Sequence, residues 1–123
     1  MKIAVISSIA FALFGCQTGI YRSDDEERAV IEQAIEVKMD SEKENISECY
    51  YQTFLWKQRA NGELVLGWII SNKGNTKAVT VLRNSFDNPV IASCVADVVS
   101  AMKFPILRKG EIIVTRFPFE FEG

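Results

Sequence analysis

The stretch from Glu63 to Arg83 constrains the fold more than any other part of the chain. Leu64, Leu66, Trp68 and Ile70 recur at every second position, the spacing that puts side chains on one face of a strand. Val65 and Ile69 make the second face partly apolar as well. Asn72-Lys73-Gly74-Asn75 follows, a run of residues that tolerate positive φ and turn a chain back on itself. Thr76 to Arg83 returns as a second strand, with Ala78, Thr80 and Leu82 opposite Val79 and Val81. The pattern predicts an antiparallel hairpin. An apolar sheet face must be buried against another layer, so the rest of the chain has to supply the cover.

Helical patterns on both sides of the hairpin can do so. Upstream, Ser23 with Glu26 fits a capping box, and Val30, Ala34 and Val37 then share a helical face, with Ile31 and Ile35 beside them. Ser41 with Glu44 suggests a second box. It opens the stripe Ile46, Cys49, Tyr50 and Phe54, which Asn61-Gly62 is expected to end. Downstream, Asn88-Pro89 opens a helix carrying Val90, Cys94, Val95, Val98 and Met102, and Phe104-Pro105 breaks it. Lys109-Gly110 is a turn, and Ile112 to Phe117 is a last strand before Pro118-Phe119-Glu120-Phe121. The order helix, helix, strand, strand, helix, strand predicts an α+β fold: a three-stranded antiparallel sheet with helices packed on one face. The last strand is expected beside the first, leaving the second and third strands as edges.

The first residues set the compartment. Met1-Lys2 is a short positive start, and Ile3 to Phe14 is apolar apart from Ser7 and Ser8. The run is too short to span a bilayer, which takes about 20 apolar residues. It fits a secretory leader. Leu13-Phe14-Gly15-Cys16 resembles a bacterial lipobox. In such signals the chain is cut before the cysteine, whose thiol carries diacylglycerol. Residues 1–15 are then a leader, Cys16 the lipidation site, and 16–39 a tether with the first helix. Two or more acyl chains anchor stably where one does not, so the lipid is the expected membrane attachment. Gln17, where an Asp would favour inner-membrane retention, leans toward the outer membrane, with the domain facing the periplasm.

Composition narrows the function. The 123 residues carry 14 basic against 16 acidic side chains with no basic patch, so nucleic acid is not an expected partner. There is no histidine, which removes the commonest general base and metal ligand. The acids at 24–27 suit a helix start, and Ser85 has no evident base. Neither an enzyme, a metal site, a cofactor nor a small-molecule substrate is expected. Cys49 and Cys94 remain once Cys16 is set aside. An exported chain meets an oxidising space, which favours a disulfide; two buried free thiols or a two-cysteine metal site are the alternatives.

Cys49-Tyr50, Gly62, the alternating strand, Gly74, Ser85, Pro89, Cys94-Val95, Phe104-Pro105, Gly110 and Phe117-Pro118-Phe119-Glu120-Phe121 follow one another in an order that resembles the AgmX/PglI C-terminal domain. That family is a relative of the TonB C-terminal domain, found in myxobacteria and predatory bacteria. The resemblance covers roughly residues 40–121. It implies a TonB-C-terminal-like fold, a Cys49–Cys94 pairing and a cell-envelope setting. It also implies a way of working, in which an exposed sheet edge captures an extended segment of another envelope protein. The edge strand carries Glu111, Ile113, Thr115 and Phe117. The alternative is a passive structural subunit of an envelope or gliding-motility assembly, with edge charges that only discourage aggregation.

Overall fold

The computed structural model describes residues 2–5, 10–11, 22–55 and 59–123, with side chains described from residue 26 onward within that set. The elements are β1 (Lys2–Val5), β2 (Ala10–Phe11), α1 (Arg22–Ser41), α2 (Lys43–Thr53), β3 (Gly62–Ile70), β4 (Thr76–Asn84), α3 (Pro89–Ser100) and β5 (Ile112–Glu122). The fold is α+β. Its centre is the antiparallel sheet β5-β3-β4, with helices packed on it, and the expected order of helices and strands is present.

The hairpin forms where the alternation places it. Leu64, Leu66, Trp68 and Ile70 are all buried in one core cluster. Across β3, Phe119, Phe117, Val114 and Ile112 stand opposite those four residues and join the same core. Gly74 takes φ +85° in the turn, and the Phe104 carbonyl fills the space a Cβ would need. The Phe104 amide donates to the Gly74 carbonyl at 2.9 Å, so the turn is tied to the chain leaving α3. At the other end of the hairpin, the Glu63 amide donates to Ser85 Oγ at 2.7 Å, and the Ser85 amide donates to the Glu63 carbonyl. Ser85 therefore closes the open end of the β3–β4 ladder.

The helices differ from the sequence reading in their faces and ends. In α1 the buried stripe is Ile31, Ile35 and Met39, while Val30 and Val37 lie 54% and 62% exposed. Three long side chains at i, i+4 and i+8 remove more apolar area from water than an alanine and two valines, and burial follows area. The first helix thus contributes Ile31, Ile35 and Met39 to the core. No capping box forms at Ser41. The Glu42 amide donates to the Lys38 and Met39 carbonyls, so α1 runs into α2 through one irregular residue, with no free helix start to cap. Ser41 Oγ instead donates to the Lys38 carbonyl at 2.6 Å. At the first box, α1 already begins at Arg22, and the side chains of Ser23 to Asp25 lie outside those described.

In α2, Ile46, Cys49 and Tyr50 are buried as the stripe predicts. The helix ends at Thr53, where Phe54 turns extended, well before Asn61-Gly62. Asn61 Oδ1 accepts from the Gly123 amide at 2.9 Å, and Gly62 opens β3 with the Phe86 ring where its Cβ would sit. Trp56 lies outside the described residues. In α3, Asn88 caps the start, accepting from the Val90 amide at 2.9 Å, with Pro89 behind it. The buried residues are Ile91, Ala92, Val95 and Val99, and Val90 is 60% exposed. Cys94 sits on the flank of that face and reaches Cys49: the two form a disulfide with Cα atoms 5.6 Å apart.

The last strand runs further than expected, through Glu122. Phe117, Phe119 and Phe121 alternate into the core. Tyr50 stacks on Phe121 at 5.4 Å with rings 7° from parallel, and both rings meet Phe86 edge-on. Tyr50 also donates its hydroxyl to the Ala60 carbonyl at 2.6 Å. Burial pushes the Tyr50 phenol above its ordinary value.

Candidate edge-strand interface

Strand β5 has two sides. Its inner side pairs with β3 along the length of the sheet. The sequence reading leaves its outer side open, and there the structure differs. The order across the sheet is β1-β5-β3-β4, with β2 also on β5. Lys2, Ile3, Ala4 and Val5 stand antiparallel to Glu122, Phe121, Glu120 and Phe119. Ala10 stands opposite Arg116 and Phe11 opposite Val114, with an irregular step between the two pairs. The physical reason is general: a row of unpaired backbone donors and acceptors pairs with any extended segment within reach. The expectation that β4 is an edge agrees with the strand order.

The residues read as the capture strand play different parts. Glu111 precedes β5, is exposed, and forms an ion pair with Lys77 of β4. Its carbonyl accepts from Arg108 Nη2 at 2.5 Å, while Arg108 Nη1 lies 3.4 Å from Glu27 of α1. The start of β5 is thereby tied to the first helix. Ile113 is half-buried opposite Ile69, on the sheet face away from the core cluster. Thr115 is exposed. Phe117 is fully buried, its ring 5.7 Å from Trp68 and 5.1 Å from Phe119. Its side chain belongs to the core, so only its backbone is placed at the edge. Trp68 and Ile70 are likewise core residues, each 1% exposed.

The electrostatics of the edge are uneven. At its C-terminal end, Glu120 and Glu122 lie beside Glu63 around a shallow groove of about 400 Å³, which Asn61, Gly62 and Ser85 also line. Glu63 is balanced by Arg83 across the β3–β4 ladder at 3.4 Å. Both are surface groups, and such a pair contributes little to stability. Toward the other end of the strand, Arg116 is exposed.

Most of the residues that carry the family resemblance have packing tasks. Cys49 and Cys94 staple α2 to α3, Tyr50 ties α2 to the end of β5, and Val95 fills the core. Gly62, Gly74 and Phe104 make close approaches, and the alternating phenylalanines build the cluster under α2. These positions fix a shape, not a chemistry. Cys16 lies outside the described residues, and among those described no helix is long and apolar enough to cross a membrane. Comparison of the chain with protein-family models, curated proteins and solved structures finds no match.

Proposed function

We propose that this chain is a lipid-anchored envelope protein, held by acylated Cys16 and facing the periplasm, whose AgmX/PglI-like domain binds another envelope protein by strand addition to β5. One observation carries the reading: the outer side of β5 takes antiparallel strand pairing at both ends of the strand, against Lys2–Val5 and Ala10–Phe11. An edge that accepts a strand from its own chain has the backbone geometry to accept one from another. The disulfide fits an oxidising compartment. Ser85 exchanges hydrogen bonds with the Glu63 backbone, which gives its hydroxyl a structural part in the hairpin.

In-cell photo-crosslinking tests this. A photo-reactive residue at position 113 reports on the edge, and one at position 38 on α1 serves as the control. A discrete adduct from 113 alone supports edge capture, and mass spectrometry then identifies the partner. No adduct from 113, or equal smearing from both, refutes it and favours a passive structural subunit.

A further inference from the structure

We infer that in the unprocessed chain the N-terminal segment occupies the β5 edge and keeps a partner off it until residues 1–15 are removed, and that the partner segment shares its chemistry: a cation at its N-terminal end, then small and branched apolar residues. The inference rests on the edge-capture reading and adds to it what holds the edge closed and what opens it.

Three features of the structure support it. The first is Pro118, in the middle of β5. A proline has no N–H to give a ladder and is confined to strand edges or bulges. Strand β3 takes up the inner side, so the outer side is the one suited to lack a donor. Pro118 falls between the two stretches paired by the N-terminal segment, which contact 119–122 and 114–116. The composition of β5 is thus that of an edge strand, although an N-terminal strand lies beside it.

The second is the size of the pairing. Strand β1 contributes four residues and β2 two, with a register irregularity in β2, against eleven in β5. Among the described residues, so short a pairing leaves most of the outer side of β5 without a long ladder partner. The segment also coincides with the stretch that the sequence reads as a cleavable leader. Removal of residues 1–15 takes away both β1 and β2 and vacates the edge.

The third is charge. The incoming strand runs antiparallel, so its N-terminal end meets the C-terminal end of β5, where Glu120 and Glu122 lie. Lys2 stands at the register position of Glu122, and Ile3, Ala4 and Val5 follow. A segment of the same layout satisfies the acidic end and then presents apolar residues along the strand.

The test uses the purified full chain carrying Cys16→Ala, with the Cys49–Cys94 bridge formed. Ala4→Pro removes a ladder donor from β1 without touching β5. A Cys pair, Ala4→Cys with Glu120→Cys, locks β1 onto the edge, because these residues are register partners. Hydrogen exchange of 112–122 is read in all three proteins. Binding of a labelled peptide with the sequence of residues 2–11, and of the same peptide with Lys2→Glu, is read by fluorescence anisotropy. The expected result is loss of protection in 119–122 for Ala4→Pro alone, and peptide binding to Ala4→Pro but not to the locked protein. The Lys2→Glu peptide binds more weakly, and increasingly so at low salt. Unchanged exchange in Ala4→Pro, equal peptide binding to open and locked proteins, or indifference to the charge reversal overturns the inference. Capture in the cell is read separately, at position 113. If exchange and peptide behave as expected while 113 gives no adduct, the self-pairing stands and the function falls. The opposite pattern removes this inference alone.

Discussion

Removing the Cys49–Cys94 bridge is the perturbation whose size follows most directly from the structure. The bridge joins residues 45 apart. Closing a loop of that length lowers the entropy of the unfolded chain by an amount equivalent to about 4 kcal/mol at 25 °C. Domains of this size are stable by only about 5–15 kcal/mol, so the bridge accounts for a large part of the margin. Cys49 is 1% exposed, so Cys49→Ala/Cys94→Ala is the cleaner double variant, because serine would add a buried hydroxyl. At about 4–8 °C per kcal/mol, Tm is expected to fall by roughly 15–30 °C. Urea unfolding in the Cys16→Ala background supplies a second signature. Without the bridge the unfolded chain expands, so the denaturant slope rises while the midpoint falls. A stability loss below about 1 kcal/mol with an unchanged slope would refute the reasoning. It would mean that the packing of α2 on α3 holds without the bond, or that the unfolded chain is already as compact as the cross-linked one.

Other outcomes follow from single residues. Gly74→Ala forces a side chain into φ +85° and against the Phe104 carbonyl; we expect a loss of at least about 1–3 kcal/mol, measured by chemical denaturation, whereas Gly110→Ala, at the same φ with open space around it, loses less. The buried Tyr50 phenol has its pKa raised in the folded state, so its neutral form is the favoured one. Its contribution to stability is complete below the ordinary value of 10.0 and is lost as pH rises through the higher folded value. Denaturant midpoints should therefore drop on the alkaline side, and Tyr50→Phe should flatten that drop while losing about 1 kcal/mol at neutral pH from the missing bond to Ala60. Cys16→Ala should leave the chain uncleaved and unacylated in a bacterial envelope, read by intact mass; normal acylation of that variant would overturn the lipid-anchor reading.

Much of the fold is written in local pattern, and what is not has an identifiable cause. The hairpin was legible because a period of two leaves one choice of buried face, and Leu64 to Ile70 took it. Asn88-Pro89 was legible because a cap is a local hydrogen bond. The helix faces were harder. In α1 and α3 two apolar stripes lie side by side, and only the sheet beneath decides that Ile31 and Ile91 turn inward while Val30 and Val90 do not. The lost cap at Ser41 came from continuity: a helix that does not stop leaves no amides to cap. The strands beside β5 were the least legible. Residues 2–11 lack the alternation that marks β3, and their apolar run has the composition of a leader. At the interface, the identity of β5 and its place beside β3 could be read, but the burial of Phe117 could not, because the step between Trp68 and Leu66 shifts the register there.

The central claim is that β5, and not the sheet's other free side, is where a partner docks. The direct measurement compares the two edges in the processed, acylated protein. A photo-reactive residue is placed at exposed Thr115 on β5 or at exposed Thr80 on β4, and adducts are resolved by mass. The account predicts one discrete adduct from position 115 and none from position 80. An adduct from 80 alone, or from neither, would contradict it.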